Sequence, residues 1–473
     1  MSSSEPQSVN SKYAWREVPR EGAGKRSATE RLADFLEIHG TLDEATAREQ
    51  ASRCIQCPEP ECVVGCPLSN RIPEWLALTA EGQFLEAAAL LHSTSSLPEI
   101  CARVCSADRM CEGKCVLGGK SEPVSIWAVE QFLNDYALAH EVTSGDPAPP
   151  NGFRVAVIGS GPGGLACADV LSCEGYAVTV FDWRLVPGGL LVNGAPSFRL
   201  DRSVLGRRIE ALKRRGVTFQ LGVKLGEDLI HTELLNRFDA VYLAFGARKT
   251  RELDIPGHDL QGVAQALSFL AQPAASNPDA APPIQVQDRR VVVLGGGEMA
   301  IDCVRTALRS GAKEVVGVYR RDEAQMTCSQ ADYQNAIEEG AAFEFLALPV
   351  AILGDAQGQV TGLRLVRTEP GPPEPDGRRS FVVRPGTEFE LAADWVLTAL
   401  GFEPMPLPTD SLFGGLARGG QGGLLVDDRL MTRQPGVFAG GELVRGPSSI
   451  LEVVRDARRA AEGIHNYLQP RAA

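Results

Sequence analysis

The chain has 473 residues, of which 44% are hydrophobic and 23% charged. This length and composition are typical of a globular protein with two or three domains. A net charge of −13 argues against a nucleic-acid-binding protein, which needs a basic face. No apolar run approaches the roughly 18 residues of a membrane helix, and the N-terminus lacks the features of a signal peptide. We therefore expect a cytoplasmic protein that does not enter membranes.

Three blocks follow one another along the chain. Residues 1–145 combine a cysteine cluster with apolar residues at helical spacing. Breaks rich in Pro, Gly, Ala and polar residues follow at 145–152 and 272–283, and each precedes an apolar strand that runs into a glycine-rich turn. The pattern predicts an α/β protein in which an α-helical N-terminal domain is followed by two Rossmann-like nucleotide-binding domains.

The first glycine-rich turn follows the strand at 154–158. Gly159, Gly161 and Gly164 have G-x-G-x-x-G spacing, and Gly163 lies within the motif. These glycines permit a tight turn, a close approach of a pyrophosphate and close helix packing. Asp182 ends the next strand about 20 residues further on, where an acidic side chain binds ribose hydroxyls. The strand–turn–helix–strand–acid order predicts a dinucleotide site rather than a glycine turn without a ligand.

Two more segments indicate that the dinucleotide of this first site is FAD. The long FAD molecule needs a further close backbone approach, a carboxylate for its ribityl chain and a helix N-terminus near the flavin carbonyl. The Pro-Gly-Gly-Leu segment and a distant Gly-Gly-Glu segment before a helical stretch meet these needs. The predicted residues are Gly188, Gly189, Leu190, Gly441, Glu442, Ser449 and Ile450. The alternative for Glu442 is an ordinary carboxylate of a surface loop.

The second glycine-rich turn follows the strand at 290–294. It has the G-x-G-x-x-A form, with Gly295, Gly297 and Ala300. The next strand ends in Arg320 and Arg321, where an NAD site would have an acidic residue. Arginines pair with a 2′-phosphate, so this site is predicted to bind NADP rather than NAD. Glu298 lies near the expected pyrophosphate path, so its side chain must point away or bind a ribose.

Eight of the 12 cysteines form two closely spaced sets, which are Cys54, Cys57, Cys62 and Cys66, followed by Cys101, Cys105, Cys111 and Cys115. Thiolates at these short spacings can enclose cubanes, and eight suit two [4Fe–4S] clusters. Zinc is the alternative, although it usually requires paired C-x2-C motifs or histidines. Disulfides do not fit a reducing compartment. The four isolated cysteines are not assigned to a cluster.

The motifs, in this order, resemble those of the small (beta) subunit of NADPH-dependent glutamate synthase. The resemblance extends from about residue 30 to 465 and includes Cys66-Pro67, both cysteine sets and both nucleotide fingerprints. The chain is also similar to the N-terminal half of dihydropyrimidine dehydrogenase and to the large subunit of NADH-dependent ferredoxin:NADP oxidoreductase. The resemblance implies bound FAD, NADPH and two [4Fe–4S] clusters.

The resemblance also implies domain limits and cluster ligands. An iron–sulfur domain at 1–145 would precede an FAD-binding domain at 151–285 and 395–473, which an NADP-binding domain at 286–394 interrupts. One cluster would be bound by Cys54, Cys57, Cys62 and Cys115. The other would be bound by Cys66, Cys105, Cys111 and either Cys101 or Glu130.

The resemblance implies an electron-input subunit that passes electrons from NADPH through FAD and the clusters to the FMN of a large glutamate synthase subunit, in a hetero-oligomer. The same module serves other acceptors in ferredoxin:NADP oxidoreductase, sulfide dehydrogenase and dihydropyrimidine dehydrogenase. A third hypothesis is a non-catalytic, zinc-stabilised module that senses nucleotides. No separate acid–base or nucleophilic catalytic set is predicted, because hydride transfer takes place between the cofactors.

Overall fold

The computed structural model describes residues 13–140, 147–271, 284–374, 378–407, 412–420 and 422–469. The break predicted at 272–283 lies outside the described residues, as do positions 145 and 146 of the earlier break. The 17 α-helices of the described ranges are α1 Ala14–Glu17, α2 Ala28–Leu32, α3 Glu44–Ser52, α4 Glu61–Val64, α5 Ile72–Glu81, α6 Phe84–Thr94, α7 Pro98–Val104, α8 Ile126–Ala139, α9 Pro162–Cys173, α10 Leu190–Asn193, α11 Arg202–Arg214, α12 His231–Arg237, α13 Ala266–Leu270, α14 Glu298–Arg309, α15 Gln330–Glu338, α16 Glu442–Arg445 and α17 Ile450–Leu468.

Strands occur only after the helical N-terminal part in the described ranges. They are β1 Arg154–Ile158, β2 Ala177–Asp182, β3 Thr218–Leu221, β4 Ala240–Leu243, β5 Lys249–Thr250, β6 Val263–Gln265, β7 Arg290–Leu294, β8 Glu314–Tyr319, β9 Ala342–Phe345, β10 Ala347–Gly354, β11 Val360–Pro373, β12 Arg379–Val383, β13 Phe389–Ala392, β14 Trp395–Thr398, β15 Phe402–Glu403 and β16 Val437–Ala439. Together with the helices they confirm the predicted α/β class.

The N-terminal unit packs its helices around an apolar core. Helix α5 has a proline in its first turn and ends where Gly82 adopts φ +83°, a left-handed conformation that favours glycine. The apolar side of α5 contributes Trp75, which is fully buried with Leu76. Aromatic contacts then join α6 to α8, since the Phe84 and Phe132 ring centroids lie 5.0 Å apart. The helical spacing of apolar residues seen in the sequence therefore produces a packed helical unit.

Two five-stranded parallel sheets form the centres of the nucleotide-binding units. The first has the strand order β16-β4-β1-β2-β3, and the second has the order β6-β14-β7-β8-β9. Their central strands β1 and β7 are apolar and buried after the first residue, as expected for parallel strands covered on both faces. In each sheet the glycine-rich turn follows the central strand, so both turns lie at the carboxyl edge, where such sheets bind ligands.

The second sheet extends beyond the limits of 286–394 that the sequence predicted for the NADP unit. Strand β6 pairs with β14, and β14 pairs with β7, in parallel register. The sheet therefore includes strands between residues 263 and 398. Short apolar strands such as β14 suit either sheet, and only long-range pairing decides which sheet they join.

An antiparallel sheet of β10, β11, β12 and β13 adds to the second unit. Its strands β10 and β11 contribute Ile352, Leu363 and Leu365 to one apolar cluster with the second parallel sheet. A separate two-stranded pairing of β5 with β15 connects the chain on both sides of this unit. Among the described residues, no helix combines the length and apolar character needed to cross a lipid bilayer.

A buried carboxylate, Glu339, joins the N-terminal segment to the second nucleotide-binding unit. It accepts hydrogen bonds from Arg305 at 3.0 Å and Arg309 at 2.7 Å, and from Arg31 of α2 at 2.9 Å. Burial opposes ionisation, but the hydrogen bonds from Arg309 and Arg305 lower the pKa of Glu339 to about 2. The charged carboxylate therefore holds three arginines from two units together.

We expect Glu339→Gln to destabilise the folded chain by about 3 kcal/mol or more, because three buried guanidinium groups would lose their common counter-charge. Urea unfolding followed by tryptophan fluorescence measures this as a lower midpoint. Glu227→Gln is the matched control, because its ion pair with Lys224 is exposed and should change stability by at most about 0.5 kcal/mol. Equal midpoints for Glu339→Gln and the control would contradict the prediction.

Candidate functional site

The first glycine-rich turn requires glycine for three different steric reasons. Gly159 has φ +109°, and a Cβ there would lie 2.7 Å from the Ala244 carbonyl oxygen. A Cβ on Gly164 would lie 1.8 Å from the carbonyl oxygen of Gly159, so this glycine allows α9 to pack against the turn. Gly161 lies against Gly189, and a Cβ added to Gly189 would lie 2.7 Å from the Cα of Gly161. Side chains at these positions would separate the two loops and the helix.

Helix α9 starts directly after this turn. Its N-cap Gly161 has no side chain to accept a hydrogen bond from the first-turn amides. Those amides are therefore left for a ligand, and an anionic pyrophosphate at a helix N-terminus suits them. The geometry supports the role that the fingerprint predicts for these glycines.

A large cavity of about 870 Å³ begins at this turn. It brings together ten of the residues predicted for the FAD site, which are Gly159, Gly161, Gly163, Asp182, Gly189, Leu190, Gly441, Glu442, Ser449 and Ile450. Gly164 and Gly188 lie behind its wall, where they permit close packing. The Gly188 N–H donates to the Ser160 carbonyl at 3.0 Å and joins the two glycine loops. We call this space the flavin cavity.

Asp182, at the end of β2, has a carboxylate that the protein already binds on both oxygens. Its Oδ2 accepts hydrogen bonds from the Ser160 N–H at 2.7 Å and Oγ at 2.6 Å, and its Oδ1 accepts from the Arg184 N–H at 2.9 Å. These bonds fix the side chain against the glycine turn. The predicted contact of Asp182 with a ribose is therefore an additional role for a carboxylate that also orders the loop.

Glu442 begins α16 and lines the flavin cavity, so it is not the surface-loop carboxylate of the alternative interpretation. Burial raises its pKa to about 7, although the N–H groups of Ser448 and Ala247 act in the opposite direction. Ser449 is the N-cap of α17 and forms a capping box with Glu452. The start of the long helix α17 is thereby directed to the cavity beside Glu442, as the FAD interpretation requires.

Helix α14, which follows the second glycine-rich turn, lines the flavin cavity, whereas the glycines of that turn do not. Gly295 has φ +145°, and a Cβ there would lie 2.5 Å from the Ala399 carbonyl oxygen. Gly297 is the N-cap of α14, and Ala300 is buried in its core. The cavity wall contains Glu298, Met299 and Asp302 of the same helix. The two nucleotide-binding units therefore face each other across the cavity.

The Glu298 carboxylate is held by three protein groups. Its Oε1 accepts from the Ser106 hydroxyl and from the Ser329 N–H, both at 2.8 Å, and its Oε2 pairs with Arg199 at 3.0 Å. These contacts direct its charge to the boundary with the iron–sulfur unit. This explains how an acidic residue can occupy the first position of α14.

The structure distinguishes the two arginines predicted to bind a 2′-phosphate. Arg321 is buried, and its guanidinium donates to the Arg379 carbonyl at 2.8 Å and to Glu374 at 3.0 Å. Arg320 is exposed and lies 4.8 Å from the centroid of the Phe381 ring. Within the described part of the chain, Arg320 has no ion-pair partner. Arg320 is thus the arginine that can bind a phosphate, whereas Arg321 is occupied by its contact with β12.

The eight clustered cysteines separate into two groups in space. A small pocket is lined by Cys54, Cys57, Cys62 and Cys115, and the other cysteines that the structure describes do not line it. Burial raises the pKa of the Cys54 thiol to about 11 and that of Cys62 to about 12. Such thiols become thiolates only beside a bound cation, so the donor set fits an iron–sulfur cluster.

The second group surrounds Glu130. This group consists of Cys66, Cys101, Cys105 and Cys111. Burial raises the pKa of each of these four thiols, and the nearby charge of Glu130 raises each pKa further. Burial also raises the pKa of Glu130 to about 8. The described residues contain no three convergent ligands for a single metal ion. Both Cys101 and Glu130 remain available as the fourth ligand beside Cys66, Cys105 and Cys111.

The isolated cysteines lie outside both groups. Cys167 and Cys303 are fully buried in the two Rossmann cores, and Cys328 is buried in the second. The sequence analysis missed Val104, Ser106, Met110, Trp183 and Arg184, which all line the flavin cavity. The only sequence signal for them is proximity, because two flank Cys105, Met110 directly precedes Cys111, and two follow Asp182 directly.

We expect Cys57→Ser to lower the iron content of anaerobically purified protein from about eight to about four atoms per chain while FAD is retained. The reason is that Cys57 lines only the first thiol pocket, which is separate from the flavin cavity. Iron analysis and the flavin spectrum after acid release measure both quantities. Cys173→Ser, outside both groups, should keep all the iron. Full iron content in Cys57→Ser would contradict the assignment.

We expect the stability of flavin-free protein to depend on Glu442 and pH. The folded state retains this proton up to about pH 7, whereas the unfolded chain loses it near 4.5, so this contribution to stability is lost as pH rises through about 7. The melting temperature of Glu442→Gln minus that of wild type should therefore be larger at pH 8 than at pH 5. The exposed Glu388→Gln should show no such difference in thermal scans. A pH-independent difference for Glu442→Gln would refute the shift.

Comparison with known proteins explains this arrangement. Residues 31–142 match the family model "dihydropyrimidine dehydrogenase domain II, 4Fe-4S cluster", and residues 153–461 match "pyridine nucleotide-disulphide oxidoreductase". The glutamate synthase [NADPH] small chain of Azospirillum brasilense is 43% identical over 95% of this chain and 94% of its own. The "putative oxidoreductase AegA" of Escherichia coli is 41% identical over 95% of this chain and 70% of its own.

A solved structure with a similar fold is Mycobacterium tuberculosis FprA in complex with NADPH. Its TM-score is 0.57 at 23% identity, over 68% of this chain and 85% of FprA. The comparisons confirm the predicted cofactor set of FAD, NADPH and [4Fe–4S] clusters and the prediction of an NADPH oxidoreductase. They do not support the zinc alternative, because the matched N-terminal model is a 4Fe-4S domain. The chain belongs to the family of glutamate synthase [NADPH] small chains.

Proposed function

We propose that this chain is the electron-input subunit of a glutamate synthase, which transfers electrons from NADPH to a separate large chain that holds FMN. The single observation that carries the proposal is the composition of the flavin cavity. The cavity wall contains the first glycine-rich turn, the N-terminus of helix α14 in the second nucleotide-binding unit, and Cys105 of the second thiol group. One space therefore adjoins the sites for flavin, nicotinamide nucleotide and a cluster.

The two thiol groups differ in their position relative to the flavin cavity. Cys105 of the second group lines that cavity, together with its neighbours in the chain Val104, Ser106 and Met110. The pocket of the first group is lined by the exposed Val116, and Cys62 of this group is two residues from Val64, which is 80% exposed. This arrangement supports an electron path from flavin to the second group, then to the first group, and then to a partner at the surface.

The protein residues bind and orient rather than react. The first-turn amides of α9 and the start of α17 would hold anionic parts of the flavin, and Glu442 would be available for ribityl hydroxyls. Apolar side chains from three units, Met110, Met299 and Phe245, narrow the cavity and limit water. The chemistry that a bound FAD would supply is acceptance of a hydride from NADPH and release of electrons one at a time, as iron–sulfur clusters require.

The identity of the partner is the finer part of this proposal. The identity shared with the Azospirillum small chain over nearly the whole length of both proteins supports a large glutamate synthase subunit. The match to the putative oxidoreductase keeps another acceptor as the second candidate, because that protein has the module within a longer chain.

An anaerobic assay separates the two candidates. Purified chain should oxidise NADPH with a one-electron dye, and addition of a large glutamate synthase subunit from the same organism should allow glutamate formation from glutamine and 2-oxoglutarate. Failure to bind that subunit or to support glutamate formation, with dye reduction intact, would leave the second candidate. Cys105→Ser should retain NADPH reduction of FAD and lose transfer onward, which stopped-flow flavin absorbance measures.

We expect Arg320→Gln to raise KM for NADPH by more than about tenfold with little change in KM for NADH, because Arg320 is the arginine free to bind a 2′-phosphate. The measurement is steady-state dye reduction with each nucleotide. Lys313→Gln, an exposed change before the same strand, is the matched control. An unchanged preference for NADPH in Arg320→Gln would contradict the assignment.

A further inference from the structure

The chain between Cys105 and Cys111 of the second thiol group contacts the second nucleotide-binding unit. We call residues 106–110 the cysteine loop. Polar side chains of this loop form hydrogen bonds to the start of α14 and to residues 326–330, and they belong to Ser106, Asp108 and Arg109. Neither the nucleotide fingerprints nor the cysteine motifs account for these contacts.

Asp108 and Arg109 attach the cysteine loop to the start of α15 and to the segment before it. The Asp108 Oδ2 atom accepts hydrogen bonds from the Ser329 hydroxyl at 3.1 Å and from the Gln330 N–H at 2.8 Å. The Arg109 guanidinium donates to two backbone carbonyls of the segment, both at 3.0 Å. A carboxylate at a helix N-terminus and a guanidinium on carbonyls are both favourable pairings, so these contacts hold the loop against the second unit.

The segment that holds the loop also contacts the second glycine-rich turn. The Thr327 N–H donates to the Gly296 carbonyl at 2.9 Å. The next residue of the turn, Gly297, is the N-cap of α14 and has no side chain to accept from the first-turn amides. Such amides suit an anionic pyrophosphate, which the fingerprint predicts at this end of the helix. The nucleotide site and the cysteine loop therefore share one supporting segment.

Glu298 connects the nucleotide site and the cysteine loop directly. It is the first residue of α14, and its Oε1 atom accepts from the Ser106 hydroxyl and from the Ser329 N–H, both at 2.8 Å. Ser106 directly follows Cys105 in the chain. The Glu298 carboxylate thus lies at the helix end where a pyrophosphate is expected, and it is bonded to the residue beside a thiol of the second group.

The charge of Glu298 can respond to both sites. Its side chain is 35% exposed, so the carboxylate has room to move while its ion pair with Arg199 at 3.0 Å keeps it near. A pyrophosphate at the start of α14 repels the carboxylate towards Ser106 and the second thiol group, whereas an electron added to the second cluster repels it towards the nucleotide. Each change therefore makes the other less favourable. Such competition is a coupling free energy between two sites and acts equally in both directions.

We propose that Glu298 is a positioning residue that links nucleotide binding at the second glycine-rich turn to the redox state of the second cluster. Reduction of this cluster weakens nucleotide binding, and a bound nucleotide lowers the midpoint potential of the cluster. Passage of an electron from the flavin to the cluster therefore favours release of the oxidised nucleotide. The inference rests on the proposed function through the cluster assigned to the second thiol group.

The test uses 2′-phospho-ADP-ribose, which has the pyrophosphate and 2′-phosphate of NADPH but no nicotinamide and therefore exchanges no hydride. Anaerobic full-length protein with FAD and both clusters is titrated potentiometrically, with and without a saturating concentration of this probe. Low-temperature electron paramagnetic resonance follows the reduced clusters, and the signal that persists in Cys57→Ser is that of the second cluster. We expect the probe to lower its midpoint potential by about 59 mV, which corresponds to about tenfold weaker probe binding to the reduced form.

Two variants separate the charge of Glu298 from its contact with the loop. Glu298→Gln keeps an acceptor oxygen but removes the charge, so the oxidised protein should bind the probe more tightly, and the shift in midpoint potential should fall to less than about half. A purely structural role would instead weaken probe binding. Ser106→Ala keeps the charge and removes the hydrogen bond, so it should reduce the shift without tightening probe binding. Calorimetric titration of the oxidised protein measures these affinities.

Glu314→Gln is the matched control. This exposed carboxylate begins β8, at the edge of the parallel sheet opposite to the glycine-rich turn. Its shift in midpoint potential and its probe affinity should equal those of wild type. Iron and flavin contents equal to those of wild type establish that the fold of each variant is intact.

Specific outcomes overturn the inference. An unchanged midpoint potential of the second cluster in wild type with bound probe would refute it, as would wild-type shifts in both Glu298→Gln and Ser106→Ala. Weaker probe binding in Glu298→Gln would also refute it, because the role of Glu298 would then be structural only. If wild-type protein contains no second cluster, the proposed cluster assignment fails instead, so the two failures are distinguishable.

Discussion

A buried ion pair between Arg208 and Glu99 determines where the cysteine-bearing helix lies relative to the flavin cavity. The guanidinium of Arg208 in α11 binds both oxygens of Glu99 in α7, at 2.6 Å and 2.7 Å. Helix α7 carries Cys101 and leads into Cys105, which lines the flavin cavity. Fully paired charges of this kind are strongly coupled, since removal of one partner leaves a buried charge. The proposed path for electrons therefore depends on a contact between two residues that belong neither to a nucleotide fingerprint nor to a cysteine set.

Similar buried ion pairs connect the remaining units. Glu339 joins the N-terminal helix α2 to the second Rossmann unit, and Arg199 connects the first unit with Asp302 and Asp332 of the second at 2.9 Å each. The flavin cavity lies where these three units meet. Its wall is consequently assembled from residues that are far apart in the chain, and its shape depends on charged contacts between units as well as on apolar cores.

The different surroundings of Arg320 and Arg321 also depend on tertiary contacts. Adjacent arginines in a sequence look equivalent, but these two follow the end of β8 and have different surroundings. Arg321 is buried and donates to the Arg379 carbonyl of β12, while Arg320 is exposed. Trp183 directly follows β2, and the guanidinium of Arg248, more than 60 residues further along the chain, packs on its ring. No local sequence pattern predicts this pairing.

The sequence by itself determined the chemistry, because glycine spacing and cysteine spacing have direct steric and coordination meaning. The fingerprints at Gly159 and Gly295 and the two cysteine sets predicted the cofactors and the α/β class from local motifs. Tertiary structure alone decided that β14 joins the second sheet and that Arg184 faces the flavin cavity. These features depend on contacts between distant segments, whose partners are chosen by packing and pairing rather than by local residue patterns.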